Sequence, residues 1–415
     1  MMKTVTALVV AAALASVTPA AAEAPPPLLT FYPQAGTLGQ DLFVSNHVDL
    51  EDGPGIRDFA CSSDTYDGHT GQDTGIRSFR EVAIGVPVFA ALDGRVLSVQ
   101  FAEGGDLNWG PTVSRFDNHV VLEHEGGVFT VYGHLARRSI VVRKGQVVTA
   151  GTQVGLTASS GNSSGPHLHF TVQRDGRVYE PFAGACRPGA SGWVQQPAVP
   201  RDPYVGNVTL SAQAFSGRRD LPYDEAVRTG TFVRGLREVF VRLELRNWRG
   251  GSGTITVARP DGAVAATVPI AAPNFQYGWT KRRLRLSLGR LGRWTVRYAL
   301  DGAVLAEAPF DVVATARQVR NRPPAAVTAS LEPAAPAAGQ PVVCRVATSL
   351  VTEDPDFDIV RYRYRWAVGG RVLRDVTSAA LSDVLRRDAA RPGETPSCRV
   401  TPSDGKLAGP TATAG

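Results

Sequence analysis

The sequence predicts a mainly β protein: an antiparallel β domain that carries a candidate catalytic centre, followed by two β-sandwich domains, the second immunoglobulin-like. Three observations lead there. From about residue 55 to 190, short apolar runs such as Val86 to Val88 and Val96 to Val99 are separated by turn signals such as Asp93-Gly94 and Gly126-Gly127, the pattern of strands joined by turns and loops. From about 203 to 315, Val241, Leu243 and Leu245 alternate with Arg242, Glu244 and Arg246, and Trp294, Val296 and Tyr298 with Thr295 and Arg297, as in strands with one dry and one wet face. From 328 onward, Cys344, Trp366 and Cys398 follow the cysteine, tryptophan, cysteine order of a sandwich whose inter-sheet disulfide packs on an indole.

The elements follow in chain order. A chain of 415 residues, 43% hydrophobic and 20% charged, exceeds what one core supports and suits several ordinary globular domains. Residues 1–22 read as a signal peptide: Lys3 precedes an apolar run to Leu14, and Ala20-Ala21-Ala22 offers a small-residue cleavage site. The competing reading, a membrane anchor, is disfavoured because the run is short for a bilayer span and no later stretch approaches the needed length. The mature chain is therefore expected to begin near Glu23, to lack a transmembrane segment and to be exported, periplasmic or secreted. Residues 23–54 form an N-terminal extension opening on Ala24-Pro25-Pro26-Pro27, an extended leader.

The four cysteines, 61, 186, 344 and 398, fit two disulfides in an oxidising compartment, and the sequence suggests pairing 61 with 186 and 344 with 398. No CxxC pair occurs, which argues against a thiolate zinc site. The first sandwich is placed at 203–315, a linker containing Arg320, Arg322, Pro323 and Pro324 at 316–327, and the second sandwich at 328–415. A formal charge of +6 favours an anionic surface such as a cell envelope, although the arginines are dispersed. Arg361-Tyr362-Arg363-Tyr364-Arg365-Trp366 admits a polyanion-binding reading, but a sandwich strand with its aromatics in the core explains the same alternation, and no nucleic-acid partner is expected. Asp354, Asp356 and Asp358 lack the glycine and distal glutamate of a calcium loop and are assigned to a solvated turn.

All seven histidines, at 47, 69, 119, 124, 134, 167 and 169, precede residue 170, so any imidazole chemistry belongs to the first domain. His69 and Asp73 are four apart beside Gly68 and Gly71, which argue for a loop entering a strand. His167 and His169, two apart, share one face of a strand. His134 closes a strand containing Phe129 and Val131. A catalytic zinc needs three His or carboxylate ligands and an open position, and amide hydrolysis also needs a base and an oxyanion donor. His47, His119 and His124 are read as structural or surface groups.

Three segments, Asp67-Gly68-His69 to Asp73, Tyr132-Gly133-His134-Leu135 and Ser164-Gly165-Pro166-His167-Leu168-His169-Phe170, resemble, in the same order, the motif set of lysostaphin-like (LytM-type) zinc metallopeptidases. The likeness extends over about 60–182 and includes Gly85-Val86-Pro87-Val88 with Ala90, Ala91 and Gly94, and the two-glycine turns of Gly145 to Gly155. It implies a metallopeptidase domain, placed here at 55–200. It implies that His69, Asp73 and His169 hold one Zn2+ and that His134 and His167 orient and deprotonate water and stabilise the oxyanion. It further implies an endopeptidase acting on peptidoglycan stem peptides or cross-bridges. A non-catalytic wall-binding or amidase-activating protein that keeps the fold is the alternative, and an enzyme secreted against other proteins or rival cells a third. The chain departs from the minimal pattern at Ile76 to Ala83 and at Gly104 to Asp117, which contains Trp109 and Pro111. Tyr66 is a candidate for the tyrosine some relatives place beside the metal. Asn46 and His47 raise the idea that residues 23–60 cover the cleft; a plain structural extension is the simpler expectation.

Overall fold

The computed structural model describes residues 28–101, 105–108, 117–215, 228–271, 274–336 and 339–415. Residues 1–22, read above as a signal peptide, the proline run at 25–27 and the loop residues Trp109 and Pro111 lie outside them. Strands dominate, and among the described residues the α-helix is confined to Phe79–Ile84. None of the described helices is long and apolar enough to cross a membrane.

The first unit is built on an eight-stranded antiparallel sheet. Its order is Phe43–Asn46, Gln72–Gly75, His167–Arg174, Val128–Gly133, His119–His124, Gly94–Gln100 and Val147–Val148, with Arg177–Tyr179 also pairing on His167–Arg174. Alternation decides what each face does. In His167–Arg174, Leu168, Phe170 and Val172 are almost fully buried, each worth about 1.5–3 kcal/mol by removal from water, and this leaves His167, His169 and Thr171 on the opposite face. Tyr132 is fully buried, and its hydroxyl accepts from the Ala91 backbone N–H at 2.9 Å and from Thr130 Oγ1 at 3.1 Å, which offsets the cost of burying a phenol. Cys61 and Cys186 are bonded, tying the segment before the motif region to the segment after it.

In the second unit a three-stranded sheet (Tyr204–Ser211, Glu238–Arg249, Asn274–Arg285) faces a five-stranded one (Thr231–Val233, Ala303–Val313, Gly292–Leu300, Ser252–Ala258, Val264–Ala271). Val241, Leu243, Leu245, Trp294, Val296 and Tyr298 fill the space between them, as the alternation predicts. One expectation fails. The outer face of Glu238–Arg249 is not wet: Arg242, Glu244 and Arg246 are 2%, 5% and 5% exposed. The first unit covers them, and the Arg246 guanidinium sits 4.0 Å from the centroid of the Phe43 ring.

In the third unit Thr328–Glu332, Val342–Ala347 and Ser382–Leu385 form one sheet and Arg371–Ser378, Arg361–Val368, Ser397–Ser403 and Ala412–Ala414 the other. The Cys344–Cys398 disulfide joins them. Trp366, opposite Cys398 in register, is fully buried and donates its indole N–H to Asp383 Oδ2 at 2.9 Å. Tyr362 and Tyr364 are fully buried as well, so the aromatic positions of this arginine-rich strand face the core.

The units pack against one another. Phe31, Leu42, Ile76 and Phe89 share a cluster with Val343, Ala379 and Val384. Arg77 bonds Glu81 at 2.5 Å within the first unit and Glu353 of the third at 2.8 Å. The predicted solvated turn is likewise buried: Asp354 and Asp356 are 2% and 6% exposed. Asp354 Oδ1 accepts the backbone N–H groups of Asp356 and Asp358, and Asp356 pairs at 2.9 Å with Arg322. Arg322 also holds Asp311 at 2.7 Å, so the linker-like segment is pinned to both flanking units. The described part of the N-terminal extension is built in too: Gly36 and Asp41 bond Ser382 and Leu381, and Phe43–Asn46 is an edge strand paired with Gln72–Gly75.

Candidate metal centre and its surroundings

Strand pairing brings distant residues together. Asp73 lies opposite His169 and Gly75 opposite His167 in the register of Gln72–Gly75 with His167–Arg174, and Gly133 lies opposite His169 on the other side. The loop before Asp73 bends at Gly68, with φ of +74°, and returns His69 to the same spot. Gly71 allows the close approach, because a Cβ there would stand 2.9 Å from the His169 ring and 2.8 Å from a backbone oxygen.

Three donor atoms converge. His69 Nε2 is 3.2 Å from Asp73 Oδ1 and 3.3 Å from His169 Nδ1, and the latter two are 2.8 Å apart. Metal–ligand bonds of about 2.0–2.1 Å at tetrahedral angles give ligand–ligand edges of about 3.3 Å, so the trio fits a small divalent ion with nitrogen and oxygen ligands. His69 Nδ1 is 2.7 Å from the His47 carbonyl and His169 Nε2 is 2.9 Å from Thr171 Oγ1. Donation from those nitrogens leaves the lone pairs of His69 Nε2 and His169 Nδ1 directed at the shared point. Asn46 Nδ2 donates to Asp73 Oδ2 at 3.0 Å, leaving Oδ1 for the cluster. Asp73 is held well below the usual carboxylate range: burial opposes this, but the facing imidazoles of His167, His169 and His69 outweigh it.

His134 and His167 stand beside the trio, their rings 4.4 Å apart. His134 Nδ1 is 2.7 Å from the Ser160 carbonyl, and His167 Nδ1 is 2.8 Å from the Gly165 carbonyl. Each Nδ1–H is thereby fixed and each Nε2 is turned to the cleft. His134 holds φ of +57°, a conformation that costs a non-glycine residue on the order of 1 kcal/mol. Its backbone N–H donates to Asp117 Oδ2 at 2.6 Å, which secures that turn. Burial, reinforced by the neighbouring His167, lowers the His134 pKa to about 4, so the ring is neutral at neutral pH. Tyr66 lies at the rim, half exposed, its ring 4.4 Å from that of His69.

The sequence reading thus named all five residues that converge here. It missed Asn46 as a partner of Asp73, although it noted its proximity, and it missed Asp117, Thr171 and the Ser160 and Gly165 carbonyls, for which no local sequence signal exists. The remaining histidines have structural partners: His124 bonds the Asp93 carbonyl and Thr130, and His119 lies 3.1 Å from Asp117. His47 is buried between the Phe59 and Phe182 rings with Nδ1 2.5 Å from Gln72 Oε1.

Burial lowers the His47 pKa to about 4. A group depressed on folding stabilises fully above its unfolded value of about 6.5 and loses that contribution as pH falls toward its folded value. Glu180 nearby is raised by burial to about 7 and acts in the opposite sense, so the informative quantity is a difference. The stability lost in His47→Gln relative to wild type should shrink between pH 6.5 and 4, by up to about 3 kcal/mol, in chelator-treated protein melted across that range. A constant difference would place the histidine outside the acid response.

Residues 68–181 match peptidase family M23. Over 101 residues, 24% of this chain, the sequence is 35% identical to an uncharacterized metalloprotease of Haemophilus influenzae, covering 19% of that protein. Over 89 residues, 21% of this chain, it is 36% identical to the peptidoglycan DD-endopeptidase ShyB of Vibrio cholerae, covering 18% of it. The match therefore spans about a fifth of the length of these relatives. A zinc-containing peptidase from Vibrio cholerae superposes with a TM-score of 0.26 at 25% identity, covering 37% of this chain and 39% of that one. The chain carries a peptidase domain of the M23, lysostaphin-like type.

Proposed function

We propose, from the premise that residues 68–181 are an M23 peptidase domain, that this protein is an exported zinc metallo-endopeptidase hydrolysing peptide bonds of peptidoglycan stem peptides or cross-bridges. The observation that carries the reading is the completeness of the site. Three donor atoms lie 2.8–3.3 Å from one another, and two further imidazoles have their Nδ1 atoms tied to carbonyls. We assign His69, Asp73 and His169 as the ligands of one Zn2+ and His134 and His167 as the catalytic pair.

Zinc in such a site supplies Lewis acidity toward the scissile carbonyl and lowers the pKa of a coordinated water toward ~7. The chain's own groups supply the rest. His134 Nε2, neutral because burial depresses its pKa, takes the proton of the attacking water and returns it to the leaving amine nitrogen. His167 Nε2, 3.5 Å from Asp73 Oδ1, lies on the cleft side of the trio; with Nδ1–H given to the Gly165 carbonyl, it donates to the developing oxyanion from Nε2 in the imidazolium form, in which both ring nitrogens carry protons. Asp117 positions His134 through its backbone.

Digestion of defined peptidoglycans by the mature protein, with fragments identified by mass, checks the reading. Peptide cleavage is expected that disappears with a chelator and returns with zinc. Intact peptidoglycan of every type, from protein shown to contain the metal, rejects it in favour of a scaffold that retains the fold. Export to the periplasm or beyond belongs to the same proposal and is read by fractionation.

A further inference from the structure

The strand that carries the candidate ligand Asp73 is also bonded on its other face. Asp73 turns to the cleft, so the preceding Gln72 points to the opposite side of the sheet, where it is 0% exposed. Its amide is used at both ends. Nε2 lies 2.9 and 2.7 Å from the two carboxylate oxygens of Glu180, and Oε1 lies 2.5 Å from His47 Nδ1. With the amide NH2 given to a carboxylate, the amide carbonyl is left to accept the His47 Nδ1–H. Glu180 is fixed in turn by the backbone N–H groups of Phe182, at 2.8 Å, and of Val48.

Through His47 this chain of bonds reaches the centre. The ring is held edge-on to Phe59 and Phe182, with 4.8 and 5.7 Å between centroids. The backbone carbonyl of the same residue accepts from His69 Nδ1 and from Thr65 Oγ1, both at 2.7 Å. That carbonyl sets the plane of the His69 imidazole and hence the direction of its Nε2 lone pair. Glu180, Gln72, His47 and His69 are each at most 4% exposed, so water competes little for these bonds. His47 lies upstream of the segment 68–181 that matches the peptidase family; the N-terminal extension supplies it.

We propose that Gln72 and His47 are positioning residues of the metal centre: anchored on Glu180 behind the sheet, they hold the carbonyl that aims His69 at the ion and so set the zinc affinity. This deepens the ligand assignment above and rests on it.

The test uses the full chain. The Kd for Zn2+ is read by competition with a chromogenic chelator, and the coordination geometry by the d–d absorption of the Co2+-substituted protein. His47→Phe keeps an aromatic ring between Phe59 and Phe182 and removes the ring nitrogens; Gln72→Met keeps the length of the side chain and removes the amide. Each should raise the Kd by about tenfold, the lower end of the effect of groups that orient a metal ligand, and alter the Co2+ spectrum. Acting in series, the two changes together should cost no more than either alone. Tyr364→Phe deletes a buried hydroxyl that donates to the Ala380 carbonyl at 2.6 Å in the third unit; it should melt earlier yet keep the wild-type Kd and spectrum. Variants are read only if they melt cooperatively, and His47→Phe, the more conservative, carries the test where Gln72→Met does not. A wild-type Kd and spectrum in folded His47→Phe overturn the positioning role, as does an equal loss of affinity in Tyr364→Phe, and additive losses in the double variant overturn the series. Wild-type protein that takes up no Zn2+ removes the ligand assignment itself. The expected shifts without hydrolysis of any peptidoglycan keep the positioning role and remove the peptidase reading.

Discussion

His169→Ala is expected to lose zinc and hydrolysis together. Each of the three proposed ligands supplies one atom to a cluster with edges of 2.8–3.3 Å, and removing His169 Nδ1 leaves two donors at a position that needs three plus an exchangeable site. Altering a group that only orients a ligand typically costs 10–100-fold in affinity, and losing the ligand itself costs more. The metal content of dialysed protein should drop from about one equivalent to near none, and the zinc-dependent gain in thermal stability should vanish with it. Retention of a full equivalent would remove His169 from the ligand set.

His134→Ala is the counterpart. The imidazole lies outside the trio, its ring 6.0 Å from that of His169, so the variant should keep its metal and lose turnover by on the order of 10²–10⁴-fold, the usual share of a positioned acid or base. The backbone complicates the choice of substitution, because φ is +57° at this residue and alanine tolerates that region poorly. Asparagine tolerates it better, so His134→Asn separates loss of the base from loss of the turn. The two variants should agree in rate loss and differ in stability. Equal metal loss in His134→Ala and His169→Ala would exchange the roles assigned to the two residues.

The place of His169 follows from one strand pattern. His167 and His169 occur two apart, and a pleated strand puts them on one face whatever surrounds it; Leu168, Phe170 and Val172 bury the other face. That much was legible because side-chain period is a local property. The same holds for Tyr362, Tyr364 and Trp366, whose alternation with arginine is enough to turn them inward.

Legibility ended where one unit meets another. Arg242, Glu244 and Arg246 alternate with apolar residues as an exposed face does, yet Phe43 and its neighbours lie over them, and the sequence carries no mark of a surface that another unit will cover. Asp354 and Asp356 have the composition of a solvated turn but are buried; Asp356 is paired with Arg322, and an ion pair makes burial of such a group tolerable only after the partner arrives from elsewhere in the chain.

From the sequence alone came the β class, read from alternation and turn chemistry, the suggested disulfide pairs, and, through the resemblance of three short segments to the lysostaphin-like motif set, the candidate residues that the structure brings together at the centre. The tertiary structure alone decided the distances among the donor atoms, the carbonyls that aim each imidazole, and the second unit's place against the first. These depend on contacts between segments up to about a hundred or more positions apart, whose free energy is set by packing that no local pattern records.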